Sequence, residues 1–178
     1  MNIVLIGYRC CGKTSIGKII AERLDKKFVD TDELIIEKAG CSIGRIVSNH
    51  GWQSFRNIEA EIVKEVSALD NLVIATGGGA VIQEDNISNL KRNGFVVWLY
   101  ADIDIIRKRL IEDTVSDENR PSLTGDDPSD EIKAVLEERE PLYKGASDVA
   151  IDTGELNINE VTDVIIEEIK NRGQKSEV

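Results

Sequence analysis

An eight-residue segment near the start of the chain has the residue types and the spacing of a phosphate-binding loop. It reads Gly7-Tyr8-Arg9-Cys10-Cys11-Gly12-Lys13-Thr14 and fits the pattern G-x-x-x-x-G-K-[ST]. In such a loop the backbone N–H groups point at phosphate oxygens, and the helix that follows presents its positive end to the same anion. Lys13 adds a mobile charge for the β- and γ-phosphates, and the Thr14 hydroxyl can coordinate Mg²⁺. We therefore predict a nucleotide site at this loop.

Two acidic residues follow the second apolar run of the chain. Asp30 and Asp32 flank Thr31 after Phe28-Val29, at a position where the carboxyl ends of parallel strands gather around a ligand. If the strand continued, the two side chains would point in alternate directions, so they need not share a role. One carboxylate could hold the water shell of a metal ion while the other accepts hydrogen bonds from substrate hydroxyls. The alternative is a pair of acids at a helix N-terminus.

Further segments carry residues that suit a small anionic acceptor. They are Phe55-Arg56-x-x-Glu59, Gly77-Gly78-Gly79, Arg120-Pro121 and Arg139-Glu140-Pro141-Leu142-Tyr143. Arg56 and Glu59 stand one helical turn apart and can pair, and taken by themselves they favour an ordinary surface pair. Three consecutive glycines weaken a strand end unless a ligand or another backbone must approach closely. Planar guanidinium groups suit a carboxylate, and an aspartate suits neighbouring hydroxyls.

The elements that must position these residues alternate along the chain. Apolar runs predict strands at Ile3–Ile6, Phe28–Asp30, Leu72–Ala75, Phe95–Tyr100 and Val149–Ile151. Helical spacing predicts helices at Thr14–Leu24, Leu34–Ala39, Trp52–Leu69, Ile103–Ile111 and Val161–Ile169, with one more before Arg139. This alternation indicates a parallel sheet that is covered on both faces. The polar stretch from Glu112 to about Asp130 predicts a mobile loop inside the domain, and Gln174–Val178 a frayed tail.

The composition is typical of one ordinary globular domain. The chain has 178 residues, of which 41% are hydrophobic and 31% charged, and its net charge is −11. That negative balance argues against a nucleic-acid or anionic-membrane surface. No segment approaches the roughly 20 apolar residues of a membrane span, and the four-residue apolar run after Met1 does not resemble a secretory signal. We therefore expect a cytoplasmic monomer whose partners are small molecules, with no nucleic acid and no membrane.

Taken together, the segments resemble shikimate kinase over nearly the whole chain. The phosphate loop is shared by many NTPases, whereas the acceptor-side set is much more specific. The segments that follow in the family's order and approximate spacing are Asp30-x-Asp32, Phe55-Arg56-x-x-Glu59, Gly77-Gly78-Gly79, Arg120-Pro121-x-Leu123 and Arg139-x-Pro141-Leu142-Tyr143. The resemblance implies an α/β fold of the nucleoside-monophosphate-kinase type, a P-loop NTPase with a five-stranded parallel sheet flanked by helices and a mobile lid.

The resemblance also implies an activity and an acceptor site. The activity is transfer of the γ-phosphoryl group of ATP to the 3-hydroxyl of shikimate, which gives shikimate 3-phosphate and ADP in aromatic amino-acid biosynthesis. Asp32 would bind the shikimate hydroxyls and act as the base. Arg56 and Arg139 would bind the carboxylate, with Gly78 and Gly79 lining the same pocket.

On the nucleotide side, the resemblance implies a set of ATP-binding residues and a Mg²⁺ cofactor. Lys13 and the lid residue Arg120 would be catalytic, while Thr14 directly and Asp30 through water would hold Mg²⁺. The ATP-binding residues would be Cys10, Cys11, Gly12, Lys13, Thr14, Ser15 and Arg120. The implied organisation is one kinase domain over residues 1–173, with a substrate-binding region at about 31–62, a lid at about 112–130 and a flexible tail at 174–178.

One residue of the loop departs from the family pattern. Many members carry glycine where this chain has Cys10, and a β-carbon there restricts the backbone but leaves the motif glycines and lysine intact. A helix N-terminus can lower the pKa of a cysteine, so a redox role for Cys10 and Cys11 is one interpretation. Plain packing is the interpretation we favour, and we expect no disulfide in a reducing compartment.

Two other functions fit the phosphate loop. One is a related small-metabolite kinase, such as a gluconate kinase, and the other is a non-catalytic nucleotide-binding or regulatory module. The joint presence of Asp32, Arg56, the glycine run and Arg139 favours shikimate over gluconate. The intact Lys13 argues against lost catalysis.

Overall fold

The strands of the protein form one parallel sheet whose faces are both covered. The computed structural model describes residues 1–113 and 128–175. The strands are β1 (Asn2–Ile6), β2 (Lys27–Asp30), β3 (Leu72–Ala75), β4 (Gly94–Tyr100) and β5 (Val149–Asp152). They pair in the order β2-β3-β1-β4-β5, with every pairing parallel. The predicted five-stranded parallel sheet is confirmed, and the predicted strands lie within a residue of the observed ones.

The helices of the described part connect these strands. They are α1 (Lys13–Arg23), α2 (Thr31–Ala39), α3 (Ile43–Ser67), α4 (Glu84–Arg92), α5 (Ile103–Glu112), α6 (Pro128–Ala146) and α7 (Ile158–Lys175), with a short 3₁₀ turn at Ala80–Ile82. None of the described helices is long and apolar enough to span a membrane. None of the three cysteines forms a disulfide bond there.

The central strand β1 is buried on both faces because helices cover each of them. Ile3 and Leu5 belong to one apolar core, and Val4 and Ile6 to the other. The first core includes side chains of α1 and α7, and the second includes side chains of α3 and α4. This alternation is the period of two of a strand, and it explains why β1 is an unbroken apolar run. Because the strand pairings are parallel, the carboxyl ends of β1, β2 and β3 lie at one edge of the sheet.

Three predicted helix starts were wrong. Helix α7 begins at Ile158, not Val161, because the Asn157 side chain caps it by accepting hydrogen bonds from the backbone N–H groups of Asn159 and Glu160. Helix α2 begins at Thr31, not Leu34, because the Asp30 side chain caps it by accepting a hydrogen bond from the backbone N–H of Asp32 at 3.0 Å. Helix α3 begins at Ile43, well before the predicted start at Trp52. A break at Gly51, with φ 79° and ψ 166°, separates the missed first part from the predicted one. Glycine tolerates that backbone conformation, which the apolar spacing alone does not reveal.

The prediction that Arg139 follows a helix was also wrong. Arg139 and Pro141 both lie inside α6, which continues to Ala146. Proline disfavours a helix interior because it removes one backbone hydrogen bond. The helix continues because Tyr143 is buried, with its ring stacked on Trp98 at a centroid separation of 5.9 Å. Tertiary burial therefore outweighs the local preference.

The ends of the predicted loop and tail also differ from expectation. Helix α6 begins at Pro128, inside the predicted lid, and α7 continues through the first two residues of the predicted tail to Lys175. Arg120 and the rest of the central lid segment lie outside the described residues, as do residues 176–178.

Candidate active site

The phosphate loop leaves β1 at Gly7 and ends where α1 begins. A β-carbon on Gly7 would overlap the carbonyl oxygen of Leu99, so only glycine fits the start of the loop. Lys13 Nζ donates hydrogen bonds to the carbonyl oxygens of Gly7 at 2.8 Å and of Tyr8 at 2.7 Å. Removal of its ammonium group from water lowers the pKa of Lys13. The lysine therefore lies folded across the loop, with its charge at the centre of the predicted nucleotide site.

Cys10 occupies a backbone conformation that favours glycine. Its φ is 62°, in the left-handed region, which costs a residue with a β-carbon about 1–2 kcal/mol. The Cys10 thiol donates to Asp113 Oδ2 at 3.3 Å, and its carbonyl oxygen accepts a hydrogen bond from Arg109 Nη1 at 3.3 Å. These contacts at the end of α5 hold the loop in the strained conformation. They also place Cys10 against the end of α5.

Thr14 and Asp30 face each other at the start of α1 and the end of β2. Thr14 Oγ1 donates to Asp30 Oδ2 at 2.9 Å, while the other carboxylate oxygen of Asp30 caps α2. Asp30 is therefore both a helix-capping acid and a neighbour of the predicted metal ligand. The described residues contain no cluster of three or more metal-binding side chains. Mg²⁺ in phosphate-transfer sites commonly takes only one or two carboxylates together with the phosphates, so this donor set fits it.

Arg56 and Glu59 form a buried ion pair on α3 and not a surface pair. Arg56 Nη1 lies 2.6 Å from Glu59 Oε2, and the side chain of Glu59 has an exposed fraction of 0%. On α6, Arg139 Nη1 donates to the carbonyl oxygen of Gly78 at 3.3 Å, and Tyr143 Oη donates to the same oxygen at 2.5 Å. Both arginines predicted to bind a carboxylate therefore lie beside the glycine run that follows β3.

Three buried polar atoms around the glycine run have no hydrogen-bond partner within the described residues. They are Asp32 Oδ1, Glu59 Oε1 and Arg139 Nε. An unsatisfied buried group costs about 1–3 kcal/mol, and most buried polar atoms in proteins are paired. Two acceptors and one donor left open at one place are typical of a site that a polar ligand completes.

The glycine run allows charged side chains to approach the backbone. A β-carbon on Gly77 would lie 2.7 Å from Asp32 Oδ1 and 3.0 Å from Glu59 Oε1. A β-carbon on Gly79 would overlap the guanidinium group of Arg56. Gly77 and Gly79 therefore leave the space that the charged groups occupy, which is the close approach that the sequence indicated.

The pKa of Asp32 is strongly raised by its surroundings. Desolvation by burial, followed by the nearby charges of Asp30 and Glu59, raises it from 3.8 to about 7. Burial likewise raises the pKa of Glu59, while the Arg56 charge opposes that shift. Asp32 can therefore exchange a proton near neutral pH, which a general base requires.

A single cavity of about 740 Å³ joins the two halves of the site. It is lined by every predicted site residue that the structure describes. Sequence reasoning missed Arg109, Thr153 and Leu156, which also line it. Arg109 donates to Thr153 Oγ1 at 3.0 Å and so ties α5 to the end of β5. Its only sequence signal was a basic residue in the last turn of a helix, which usually indicates a solvated residue.

The phosphate loop shares one cavity with arginines and carboxylates at the carboxyl edge of this sheet. This arrangement defines a P-loop kinase of a small anionic metabolite. A family model for shikimate kinase matches residues 9–170. The chain belongs to the shikimate kinase family. Its activity is ATP:shikimate 3-phosphotransfer, as the sequence resemblance implied.

Individual relatives resemble the chain over nearly their full length. A shikimate kinase from Symbiobacterium thermophilum is 41% identical over 175 residues, which cover 98% of this chain and 99% of the relative. The solved structure of shikimate kinase from Acinetobacter baumannii in complex with shikimate superposes with a TM-score of 0.88 at 34% identity, covering 96% of this chain and 93% of that one. A gluconokinase from Sinorhizobium meliloti has a TM-score of 0.60 at 18% identity, covering 91% and 87%. That last likeness is one of fold alone.

Replacing Asp32 with asparagine should stabilise the ligand-free, metal-free protein more at high pH than at low pH. Because folding raises the pKa of Asp32 from 3.8 to about 7, the folded state retains a proton that the unfolded chain releases. The contribution of Asp32 to stability is therefore greatest at low pH and falls as the pH rises through this window. In Asp32→Asn that loss is absent, so we expect its Tm to exceed that of the wild type by about 4 °C or more at pH 8.

Thermal unfolding at pH 5 and pH 8 checks this expectation. The Tm difference should be clearly smaller at pH 5. Asp85→Asn, at an exposed position in the first turn of α4, is the matched control and should show no comparable pH-dependent gain. An equal gain for Asp32→Asn at both pH values would contradict the raised pKa.

Replacing Gly79 with alanine should weaken acceptor binding without unfolding the protein. The new β-carbon meets only the far end of the flexible Arg56 side chain, so the guanidinium group moves and the backbone does not. Loss of a charge-assisted hydrogen bond should raise the KM for shikimate by about 10-fold or more. The KM for ATP should change less than about 2-fold, because Arg56 lies at the glycine run and not at the phosphate loop.

Steady-state kinetics with each substrate varied in turn measures both constants. Gly145→Ala on α6 is the control, because a β-carbon there meets no atom within 4 Å, and it should leave both constants unchanged. A wild-type KM for shikimate in folded Gly79→Ala would show that the position of Arg56 does not matter.

Proposed function

We propose that the acceptor lies at the glycine run and receives the phosphoryl group from a nucleotide on the phosphate loop. The observation that carries this proposal is the convergence of unsatisfied buried atoms, with Asp32 Oδ1 and Glu59 Oε1 as acceptors and Arg139 Nε as a donor. A molecule with hydroxyl groups and a carboxylate, such as shikimate, supplies the matching donors and acceptors. The shikimate bound in the solved Acinetobacter baumannii enzyme supports this choice of acceptor.

The acceptor is held by charge and then activated by one carboxylate. Arg56 and Arg139 bind its carboxylate through charge-assisted hydrogen bonds, and the backbone of Gly78 and Gly79 lines the same pocket. Asp32 accepts hydrogen bonds from the hydroxyls. In the transfer, the 3-hydroxyl oxygen forms a bond to the γ-phosphorus, the bond from that phosphorus to the ADP oxygen breaks, and the hydroxyl proton passes to Asp32. A base with a pKa of about 7 suits this proton transfer.

The nucleotide is held by the phosphate loop and the first turn of α1. We assign the phosphates to the backbone from Cys10 to Ser15 and to the ammonium group of Lys13, which stabilises the charge of the transferring group. The residues present also fit a Mg²⁺ ion, with Thr14 as a direct ligand and Asp30 acting through a water. When bound, Mg²⁺ neutralises charge on the β- and γ-phosphate oxygens.

Three expectations from the sequence stay proposals. Arg120 is proposed as a catalytic cation on the phosphates from its sequence context alone, because it lies outside the described residues. The range 31–62 is proposed as the substrate-binding region. We further propose that the enzyme acts as a cytoplasmic monomer, where ATP is supplied and its cysteines stay reduced.

A coupled ADP-release assay with shikimate, gluconate, AMP or no acceptor tests the function. We expect ADP release above the background hydrolysis of ATP only with shikimate, and removal of Mg²⁺ with EDTA should abolish it. Stimulation by gluconate or AMP but not by shikimate would overturn the proposed acceptor. Nucleotide binding without turnover on any acceptor would instead favour a regulatory module.

Three variants separate the proposed roles. Lys13→Ala should lower kcat by about 100- to 1000-fold, because it removes a preorganised positive charge from the transition state. Arg139→Ala should raise the KM for shikimate by about 10-fold or more with little change in the KM for ATP. Asp32→Asn should lower kcat even at saturating shikimate, because an amide is a far poorer proton acceptor.

Kinetics with both substrates varied distinguishes these cases, and circular dichroism checks that each variant is folded. Lys91→Ala, at an exposed position in the last turn of α4, is the control for loss of a surface cation. A change in only the ATP constant of Arg139→Ala would refute the acceptor map.

A further inference from the structure

A largely buried ion pair joins the phosphate loop to the helix that carries Arg139. Arg9 Nη2 donates to Glu131 Oε1 at 2.9 Å, and the two side chains have exposed fractions of 20% and 6%. Arg9 is one of the unspecified positions of the phosphate-loop motif, and Glu131 lies in the first turns of α6, 122 residues later in the chain. Neither residue has a part in the transfer as described above.

Helix α6 presents Glu131 and Arg139 on one face. Glu131, Val135, Arg139 and Tyr143 follow one another at intervals of four residues, and all four are buried. Residues spaced by four lie on the same side of a helix. Glu131 and Arg139 are separated along the axis by about 12 Å, at 1.5 Å per residue. One end of this face therefore contacts the phosphate loop and the other contacts the glycine run.

The third side of this arrangement is the proximity of the two loops. A β-carbon on Gly78 would lie 3.4 Å from the carbonyl oxygen of Gly7 and 3.6 Å from the backbone nitrogen of Arg9. The glycine run thus lies next to the phosphate loop, while α6 holds the glycine run through Arg139 and Tyr143. The Arg9–Glu131 pair adds the contact between the phosphate loop and α6, so the phosphate loop, the glycine run and α6 are each linked to the other two.

The pair also lies next to the carbonyl group that holds the catalytic lysine. Tyr8 precedes Arg9, its carbonyl oxygen accepts a hydrogen bond from Lys13 Nζ at 2.7 Å, and the Arg9 guanidinium lies 5.4 Å from the centre of its ring. A shift of Arg9 toward or away from α6 therefore moves a contact of Lys13.

Stability alone does not account for a pair of this kind. Buried ion pairs contribute little net stability, because the desolvation of both charges offsets their attraction, and apolar residues of similar volume often serve as well. Their best-supported use is to select one arrangement of the packed elements. Here the arrangement of the phosphate loop and α6 sets the distance between the nucleotide phosphates and the acceptor carboxylate.

We propose that Arg9 and Glu131 are a positioning pair for phosphoryl transfer. The pair holds α6 against the phosphate loop, so that Arg139 binds the acceptor carboxylate while Lys13 binds the phosphates at the correct distance from it. This inference rests on the proposed acceptor role of Arg139. The pair acts through Arg139 and touches neither substrate. Transfer depends steeply on such placement, because the reacting oxygen and phosphorus must be held in line at short range.

The test compares Arg9→Met, Glu131→Ala, the double variant and Arg9→Lys in the full-length protein. We expect each of the two single changes to raise the KM for shikimate by about 10-fold, a common size for coupling between contacting residues. The KM for ATP should change less than about 2-fold. The double variant should be no worse than the more affected single variant, because the interaction is already lost. Arg9→Lys, which keeps the charge, should restore much of the wild-type constant.

Lys133→Ala is the control on the same helix, since its side chain is 64% exposed, and it should leave both Michaelis constants unchanged. Tm is measured for every variant, and Glu131→Gln replaces Glu131→Ala if the latter does not fold. A lower Tm with unchanged Michaelis constants would show a merely structural pair and overturn the proposal. A raised KM for ATP in Arg9→Met, with normal constants in the Glu131 variants, would overturn it in favour of direct phosphate binding.

The outcomes for this pair are distinguishable from those for the proposed function. A wild-type enzyme without activity on shikimate refutes the function itself. A wild-type enzyme with that activity, together with unaltered variants, refutes only the positioning role of Arg9 and Glu131.

Discussion

The burial of opposite charges in a single cavity is the constraint on which the rest of the structure depends. The carboxylates of Asp32 and Glu59 and the guanidinium groups of Arg56 and Arg139 lie close to one backbone segment, with polar atoms left open toward the cavity. Such groups lose the free energy of hydration on folding, and their interactions with one another offset only part of that loss. The favourable free energy must come from elsewhere in the molecule.

That free energy comes from the sheet and its two apolar cores. Strands β1 and β3 are buried along their whole length, and helices pack on both of their faces. Burial of apolar surface contributes about 25 cal/mol per Å². Because the strands are parallel, their carboxyl ends meet at one edge, and the phosphate loop after β1, the acids after β2 and the glycine run after β3 are brought together there. The same packing that stabilises the fold therefore assembles the site.

Local charge in the site opposes the charge of the whole molecule. The net charge of −11 disfavours the approach of two anionic substrates. Lys13, Arg56, Arg109 and Arg139 all line the cavity. In a partly desolvated cavity these cations act on nearby phosphates and carboxylates with little screening. The distribution of charge, and not its sum, determines what this protein binds.

Sequence alone was sufficient for features whose causes are local. The phosphate loop, the apolar strands and the glycine run are short segments in which residue type and spacing specify the geometry, and Arg56 and Glu59 pair within one helical turn. The class of fold follows from the alternation of strands and helices. Parts of the site whose geometry is set by residues close together in the sequence are therefore predictable from residue type and spacing.

Tertiary structure decided the features whose causes are distant in the chain. Helix α6 runs through Pro141 because burial of Tyr143 outweighs the local cost of proline, and this places Arg139 on a rigid helix face. Arg139 meets Gly78 across 61 positions, and Arg9 meets Glu131 across 122. The raised pKa of Asp32 arises mainly from burial, which depends on tertiary packing, and then from the charges of Asp30 nearby in the chain and Glu59 on α3. Local spacing carries no information on such contacts, because only the packing of the helices against the sheet brings these residues together.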